Sequence, residues 1–238
     1  MAGSTVILGD CVEVMKGFED NQFDLAIVDP PYGINVAKMS YTQEDNRPCK
    51  QKNGSILTVR KLKYKHGDWD NSIPTDEYFN ELKRVSKNQI IWGWNYYGRD
   101  WGKGLIKWNK LVPEGVSFSS YEYAFCSLID CEIEFKYLWT GFSQGISLTE
   151  PTTQRGNKKL NEKRIHPTHK PIVLYRWLLK QFAQPNDKIL DTHLGGGSNR
   201  IAADELGFEF VGIERDKDYY NDQEKRFKQY KQQLRIDF

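Results

Sequence analysis

"KILDTHLGGGSNRIAADELG", residues 188–207, reads as a short apolar strand, a glycine-rich turn and the start of a helix. Gly195, Gly196 and Gly197 let the backbone turn tightly and approach a ligand closely, at the start of a helix whose first N–H groups point into the site. Such a unit usually opens the nucleotide-binding half of an α/β protein, but here it lies in the last quarter of 238 residues. The dinucleotide pattern G-x-G-x-x-G fails, because Arg200 stands where the third small residue belongs, and a P-loop lysine is absent.

Asp191, just before the glycines, would repel a diphosphate, whereas a carboxylate there suits a ligand that carries positive charge. S-adenosylmethionine has an ammonium and a sulfonium and no phosphate, so it is the cofactor expected. Glu214 ends the following strand, "FEFVGIE", where an acid can accept hydrogen bonds from both ribose hydroxyls, a position that fits NAD as well.

Outward from this unit the chain alternates. "STVILGD" and "FDLAIVDPPYG" are short apolar strands that stop at an acid, with "VEVMKGF" a helical turn between them. "PTDEYFNELKRVS" places Tyr78, Leu82 and Val85 on one helical face, with Pro74 in its first turn. "NQIIWGWNYYG", "GLIKWN", "YEYAFCSLI" and "EIEFKYLW" read as strands, and "PIVLYRWLLKQFA" as an apolar-faced helix. A final amphipathic helix covers "DYYNDQEKRFKQYKQQL". Strands and helices that alternate, with acids at strand ends, predict an α/β fold with a doubly wound, mostly parallel, Rossmann-like sheet. One domain over 1–238 is expected, with 34–70 a basic loop or insertion and about 140–165 a candidate DNA-contact loop.

Asp29-Pro30-Pro31-Tyr32-Gly33 follows "LAIV" and so sits at the carboxyl edge of a strand, where open parallel sheets place their ligands. Two prolines fix the backbone and remove two N–H donors, leaving carbonyls that can only accept. An exocyclic amine has two N–H groups and a lone pair delocalised into its ring. Asp29 can accept one hydrogen and the Pro30 carbonyl the other, drawing the nitrogen toward tetrahedral geometry, while Tyr32 stacks on the base. A base deep in a duplex must be flipped out for this.

"DPPYG", then "HPTHKP", "ILDTHLGGGS" and "FVGIE", in that order, resemble the beta-class amino DNA methyltransferases, in which the catalytic motif precedes the cofactor motif. "WDNSIP", "VSKNQIIWGWNYYG" and "KWNK" are similar to the middle of phage-type and bacterial adenine enzymes. The resemblance implies a seven-stranded methyltransferase sheet in circularly permuted motif order, and methyl transfer from S-adenosylmethionine to adenine N6. Asp ahead of the prolines favours adenine over cytosine in such enzymes. Carried over by position, Asp29, Pro30, Pro31 and Tyr32 match the catalytic tetrad. Asp10 and Cys11 in "LGDC" match the contact to the cofactor adenine. His166, Thr168 and Lys170 would wrap the methionine end, with Lys170 meeting its carboxylate. Asp191, Gly195, Gly197 and Ser198 would cradle that end from below, and Glu214 would hold the ribose. The family usually has Asp-Pro-Phe where this chain has Asp191-Thr192-His193, and Gln at His169.

A net charge of +2 is too small to argue for nucleic acid by itself, but its distribution is uneven. Arg47, Lys50, Lys52, Arg60, Lys61, Lys63 and Lys65 form a run without an acid, and a second runs from Arg155 to Lys170 with Glu162 its lone acid. Both are candidates for the rim that meets DNA phosphates, with Asn95 a candidate for the base pocket. Trp92 and Trp94 are expected in the core. No H-E-x-x-H or Cys/His spacing argues for a metal. The cysteines show no disulfide-dense pattern, and no apolar run approaches a membrane span, so a cytoplasmic protein, bacterial or phage-encoded within a bacterial host, is expected. A homodimer and a partner restriction endonuclease stay open. So do rival functions: cytosine-N4 or RNA-base methylation on the same fold, a nicotinamide-dependent oxidoreductase, and a catalytically silent DNA-binding module.

Overall fold

The strand "FDLAIV" is buried on both sides: Leu25 and Ile27 pack into one apolar cluster, Ala26 and Val28 into another. A strand covered on two faces needs a layer above and a layer below. The computed structural model describes residues 3–36, 48–50, 54–58, 70–112, 119–140, 143–154 and 156–233. In chain order these form β1 (Ser4–Leu8), α1 (Cys11–Lys16), β2 (Phe23–Val28), β3 (Pro48–Lys50), β4 (Ile56–Thr58), α2 (Asp76–Val85), β5 (Ser86–Trp92), β6 (Leu105–Asn109), β7 (Tyr121–Cys126), β8 (Glu132–Lys136), α3 (Ile172–Phe182), β9 (Lys188–Asp191), α4 (Ser198–Leu206), β10 (Glu209–Glu214) and α5 (Lys217–Gln233). Among the described residues no helix is long and apolar enough to cross a membrane.

The main sheet has eight strands in the order β1-β10-β9-β2-β5-β7-β6-β8. Only β7 runs against its neighbours. The resemblance implied seven strands; the eighth is β8, which pairs parallel with β6 at the edge. Its sequence "EIEFK" alternates as an edge strand does, with Phe135 buried and its neighbours Glu134 and Lys136 exposed. Within 34–70, β3 and β4 pair antiparallel as a small ribbon.

Helices cover both faces. On one, Met15 of α1 and Tyr78, Phe79 and Leu82 of α2 join Ala26, Val28 and Ile91. On the other, Leu174 and Leu178 of α3 and Ala202 and Ala203 of α4 join Leu25, Ile27 and Trp92. Pro74 lies before the first turn expected to hold it: Thr75 caps α2, its hydroxyl accepting from the Tyr78 N–H. From β9 the chain steps outward to β10, and β1 lies beyond; from β2 it steps the other way to β5. Strand order therefore reverses between β9 and β2, and the crevice at their carboxyl ends is where such a sheet takes a ligand. The glycine turn follows β9, and Asp29 follows β2.

Arg200 is buried beneath α5, where its guanidinium donates to Ser4 Oγ at 2.9 Å and Gln223 Oε1 at 2.9 Å and pairs with Glu224. It thus binds the first strand to the last helix. Asn199 joins α4 to the crevice strands, donating to the Ile27 carbonyl at 3.2 Å and to Asp191 Oδ2 at 3.0 Å. Asn199→Ala leaves both acceptors buried without that donor, at a cost of about 1–3 kcal/mol. Urea unfolding should show a lowered midpoint with an unchanged slope; an unmoved midpoint would show that this link carries no stability.

Candidate active site

The Asp29–Gly33 turn is held by a residue 37 positions beyond it. Asp70 is buried, and its Oδ1 accepts from the backbone N–H groups of Tyr32 at 2.8 Å and Gly33 at 2.9 Å, while Oδ2 accepts from Val36 at 2.9 Å. One carboxylate thereby satisfies three donors of a turn whose prolines supply none. Tyr97, in the turn after β5, braces the Asp29–Gly33 turn, its hydroxyl shared between the carbonyls of Pro30 at 3.0 Å and Trp92 at 3.1 Å. The Pro30 carbonyl expected to face an amine thus already has one lone pair engaged. Tyr32 lies over Gly93, where an added Cβ would fall 2.2 Å from its ring, so only glycine fits. The outer face of Tyr32 stacks on the exposed Tyr96 ring, with centroids 4.9 Å apart.

The Asp29 carboxylate is not free. Its Oδ1 accepts from the Tyr32 hydroxyl at 2.6 Å, and its Oδ2 pairs with Lys170 Nζ at 2.6 Å. Lys170 also donates to Tyr32 Oη at 3.1 Å and pairs with Glu122 Oε2 at 3.1 Å. Burial pushes the Asp29 carboxyl above the usual range, against the pull of Lys170. Burial also opposes Glu122 ionisation, but Lys170 and Lys110 outweigh it and hold that carboxyl down to about 2.

Beside this cluster opens a cavity of about 460 Å³. It gathers Asp29, Pro30, Pro31 and Tyr32 with Asp10, Cys11, His166, Thr168, Lys170, Gly195, Ser198 and Glu214. Asp10 Oδ1 caps α1, accepting from the Val12 N–H at 3.0 Å. Glu214 Oε2 accepts from the Gly195 N–H at 2.7 Å and Oε1 from the Asp216 N–H at 2.8 Å, each oxygen keeping a second lone pair for a hydroxyl. Gly195 has φ +50°, and a Cβ there would project to within 3.8 Å of the His166 ring. The missing side chain is the space between glycine turn and His166, a cradle that fits a cofactor with a hydroxyl-rich sugar and a cationic end.

Several expected residues take other places. Lys170 meets Asp29 and Glu122, since two carboxylates already face its ammonium. Asp191 and Gly197 do not line the cavity: the Asp191 carboxylate turns inward to the His193 N–H at 3.0 Å and to Asn199, and Gly197 is the residue that caps α4. Ser198 lines the cavity, but its hydroxyl donates to Glu162 at 3.1 Å. His193 takes the aromatic slot, edge-on to Tyr78 at 5.2 Å, with Thr192 Oγ1 on Nδ1 at 3.0 Å and the Cys11 thiol 3.8 Å from Nε2. Asn95 is exposed and outside the cavity lining; Trp92 is buried and Trp94 half-buried. Arg47, Lys52, Arg60, Lys61, Lys63, Lys65 and Arg155 lie outside the described residues, and of Lys50 only the backbone, in β3, is described.

Sequence reasoning missed a half-buried carboxylate behind the glycine turn. Glu162, the lone acid of its basic run, pairs with Arg226 at 2.6 Å, accepts from His169 Nε2 at 3.1 Å and from the Ile172 N–H at 3.0 Å. Arg226 reaches on to the Gly196 carbonyl, and the His169 ring packs where a Gly196 side chain would stand. Glycine turn, "HPTHKP" segment and α5 are thereby locked together. Its one sequence signal is an acid alone among bases; Arg226 in a helix rich in lysine carries none. Asp70 and Glu122 were equally silent.

A family model described as DNA methylase matches residues 94–225. The chain is 25% identical over 271 aligned positions to the type II methyltransferase M.HinfI of Haemophilus influenzae, covering 96% of this chain and 69% of that one. In fold it is similar to M1.HpyAVI solved as a complex with SAM (TM-score 0.54, 18% identity, 95% of this chain and 100% of that one). It is also similar to the cytosine-N4-specific PvuII DNA methyltransferase (TM-score 0.56, 12% identity, 95% and 87%).

Burial holds the imidazole of His166 down to about 3 and those of His169 and His193 to about 4. The unfolded chain binds these protons at about pH 6.5, so the stability the neutral rings carry is present above that value and is lost as pH falls toward 4. Asp191, pushed up by burial to about 7, acts in the opposite sense, its contribution being lost as pH rises through that value. His193→Phe should shrink the stability lost between pH 7.5 and pH 5 by roughly 1 kcal/mol, allowing for partial exposure of the ring. Urea unfolding at the two pH values reads this, and an unchanged difference would mean that His193 titrates normally.

Proposed function

Because the chain belongs to the DNA methylase family, we propose that it transfers a methyl group from S-adenosylmethionine to the N6 amine of adenine, in a base flipped out of DNA. The observation that carries this reading is that one cavity at the β9/β2 crevice joins Asp29 and Tyr32 to the glycine turn and Glu214. Asp10 and Cys11 would face the cofactor adenine, Glu214 the ribose, and His166, Thr168 and Gly195 the methionine end. Bound there, S-adenosylmethionine supplies an electrophilic methyl on a sulfonium, a leaving group that is already activated.

The protein's own part is alignment and electrostatics. Tyr96 gives way to admit the base against Tyr32. Asp29 turns from the Tyr32 hydroxyl to accept one amine hydrogen, and the free lone pair of the Pro30 carbonyl accepts the other. The amine lone pair, drawn out of conjugation, would be free to form the N–C bond as the methyl's bond to sulfur breaks, and the proton the nitrogen then sheds would pass to the Asp29 carboxylate or to water. Lys170 remains by Asp29 and stabilises its charge in a buried place. We read 1–238 as one methyltransferase domain, with 34–70 a basic loop or insertion and about 140–165 a DNA-contact loop; the basic runs Arg47 to Lys65 and Arg155 to Lys170 would form the rim that meets phosphates and give affinity that falls with salt. Asp ahead of the two prolines supports adenine; likeness in fold to a cytosine-N4-specific enzyme makes that base the second reading.

Transfer of labelled methyl to duplex DNA, followed by nuclease digestion and mass spectrometry, should yield N6-methyladenine. N4-methylcytosine alone would replace adenine with the second reading. Asp29→Ala should lower kcat by roughly 10²- to 10³-fold with cofactor affinity little changed; loss of cofactor binding instead would make Asp29 structural.

A further inference from the structure

Four charges of alternating sign run inward from the sheet edge: Lys110 at the end of β6, Glu122 on β7, Lys170 before α3, and Asp29. Lys110 Nζ lies 2.9 Å from Glu122 Oε1, Glu122 Oε2 lies 3.1 Å from Lys170 Nζ, and Lys170 Nζ lies 2.6 Å from Asp29 Oδ2. The Lys170 side chain is 3% exposed. β7 is the antiparallel strand, so its first residues reach the edge at which the parallel strands end, and Glu122 arrives beside the catalytic turn without belonging to any motif of it.

We propose that Glu122, backed by Lys110, is a positioning residue for Asp29: it takes a share of the Lys170 ammonium, so that Asp29 is held weakly enough to turn to the target amine. This rests on the methyl-transfer reading above. With one carboxylate, a buried ammonium would grip Asp29 alone, and an amine could displace it only by breaking a desolvated ion pair, which is costly. With two, the ammonium keeps a partner when Asp29 turns away. Lys110 in turn balances Glu122 and limits how far it draws Lys170 off. Glu122 forms and breaks no bond.

The charged groups that face Asp29 are Lys170, Glu122 and, from the end of β9, Asp191. The phenols of Tyr32, Tyr78, Tyr97 and Tyr175, which also adjoin it, are pushed well above their ordinary range by burial and stay neutral. Glu122 raises the Asp29 titration point and Lys170 lowers it. Removing Glu122 therefore lowers that point, and removing Lys110, which leaves Glu122 unbalanced, raises it.

The test is a carbon-13 carboxyl NMR titration of Asp29 in the cofactor-free full chain, as wild type, Glu122→Gln and Lys110→Met. The midpoint should fall in the first variant and rise in the second, each by about half a unit or more, with the acid limb of the kcat profile moving the same way and cofactor KM unchanged. Midpoints that stay put, or move in the same direction, overturn the proposal. Should Glu122→Gln not fold, Lys110→Met alone decides it: a rise supports, no rise overturns. Wild-type protein that methylates no amine while Asp29 still shifts in opposite directions would sink the methyl-transfer reading and leave the charge chain intact.

Discussion

An ammonium out of water has to be shared. Lys170 stands between Asp29 and Glu122 and touches the Tyr32 hydroxyl, and through it three separate stretches of chain meet at one point. Removing Lys170 itself would leave Asp29 without its cation at a cost of about 3–5 kcal/mol, so the turn after β2, β7 and the "HPTHKP" segment constrain one another there. The same pairing opposes the burial that pushes the Asp29 carboxyl upward, and so favours the charged form that an amine-accepting group needs.

A half-buried carboxylate does for the glycine turn what Lys170 does for the catalytic turn. Glu162 binds Arg226, His169 and Ser198 and ends on the first N–H of α3. The turn is thus fixed from behind by α5 and from the side by "HPTHKP", and its open side is left to the cavity. Asp191 belongs to this scaffolding. Its carboxylate orders the "DTH" bend instead of facing a ligand, which gives the unusual Thr192-His193 an account: Thr192 binds Tyr78 and His193 fills a slot that takes a neutral ring.

Local pattern carried the elements well, because each has a strong period or a sharp stop. "FDLAIV" is apolar on both faces and ends at an acid; "PIVLYRWLLKQFA" is bounded by prolines; the glycine turn can begin little but a helix. Motif order also carried the permutation, since "DPPY" precedes the glycine turn, and the sheet places β9 beside β2 accordingly. Illegible were the contacts made at long range. Asp70 grips a turn far from it in sequence, Glu122 comes from a strand that runs the wrong way, and Lys170 chose carboxylates of its own chain. Nothing local marks an acid for such a role; what decides it is the cost of leaving a buried N–H or ammonium without a partner.

The central claim is that one cavity presents both the cofactor and the target amine to Asp29. The most direct measurement is a crystal structure of the chain with S-adenosylhomocysteine and a duplex holding a flipped adenine. The account predicts the adenosyl group between Asp10 and Glu214, the base against Tyr32, and Asp29 turned from the Tyr32 hydroxyl to the exocyclic nitrogen, with Lys170 still on Glu122. An adenosyl group bound elsewhere, or a base engaged while Asp29 keeps its bond to Tyr32, would contradict it.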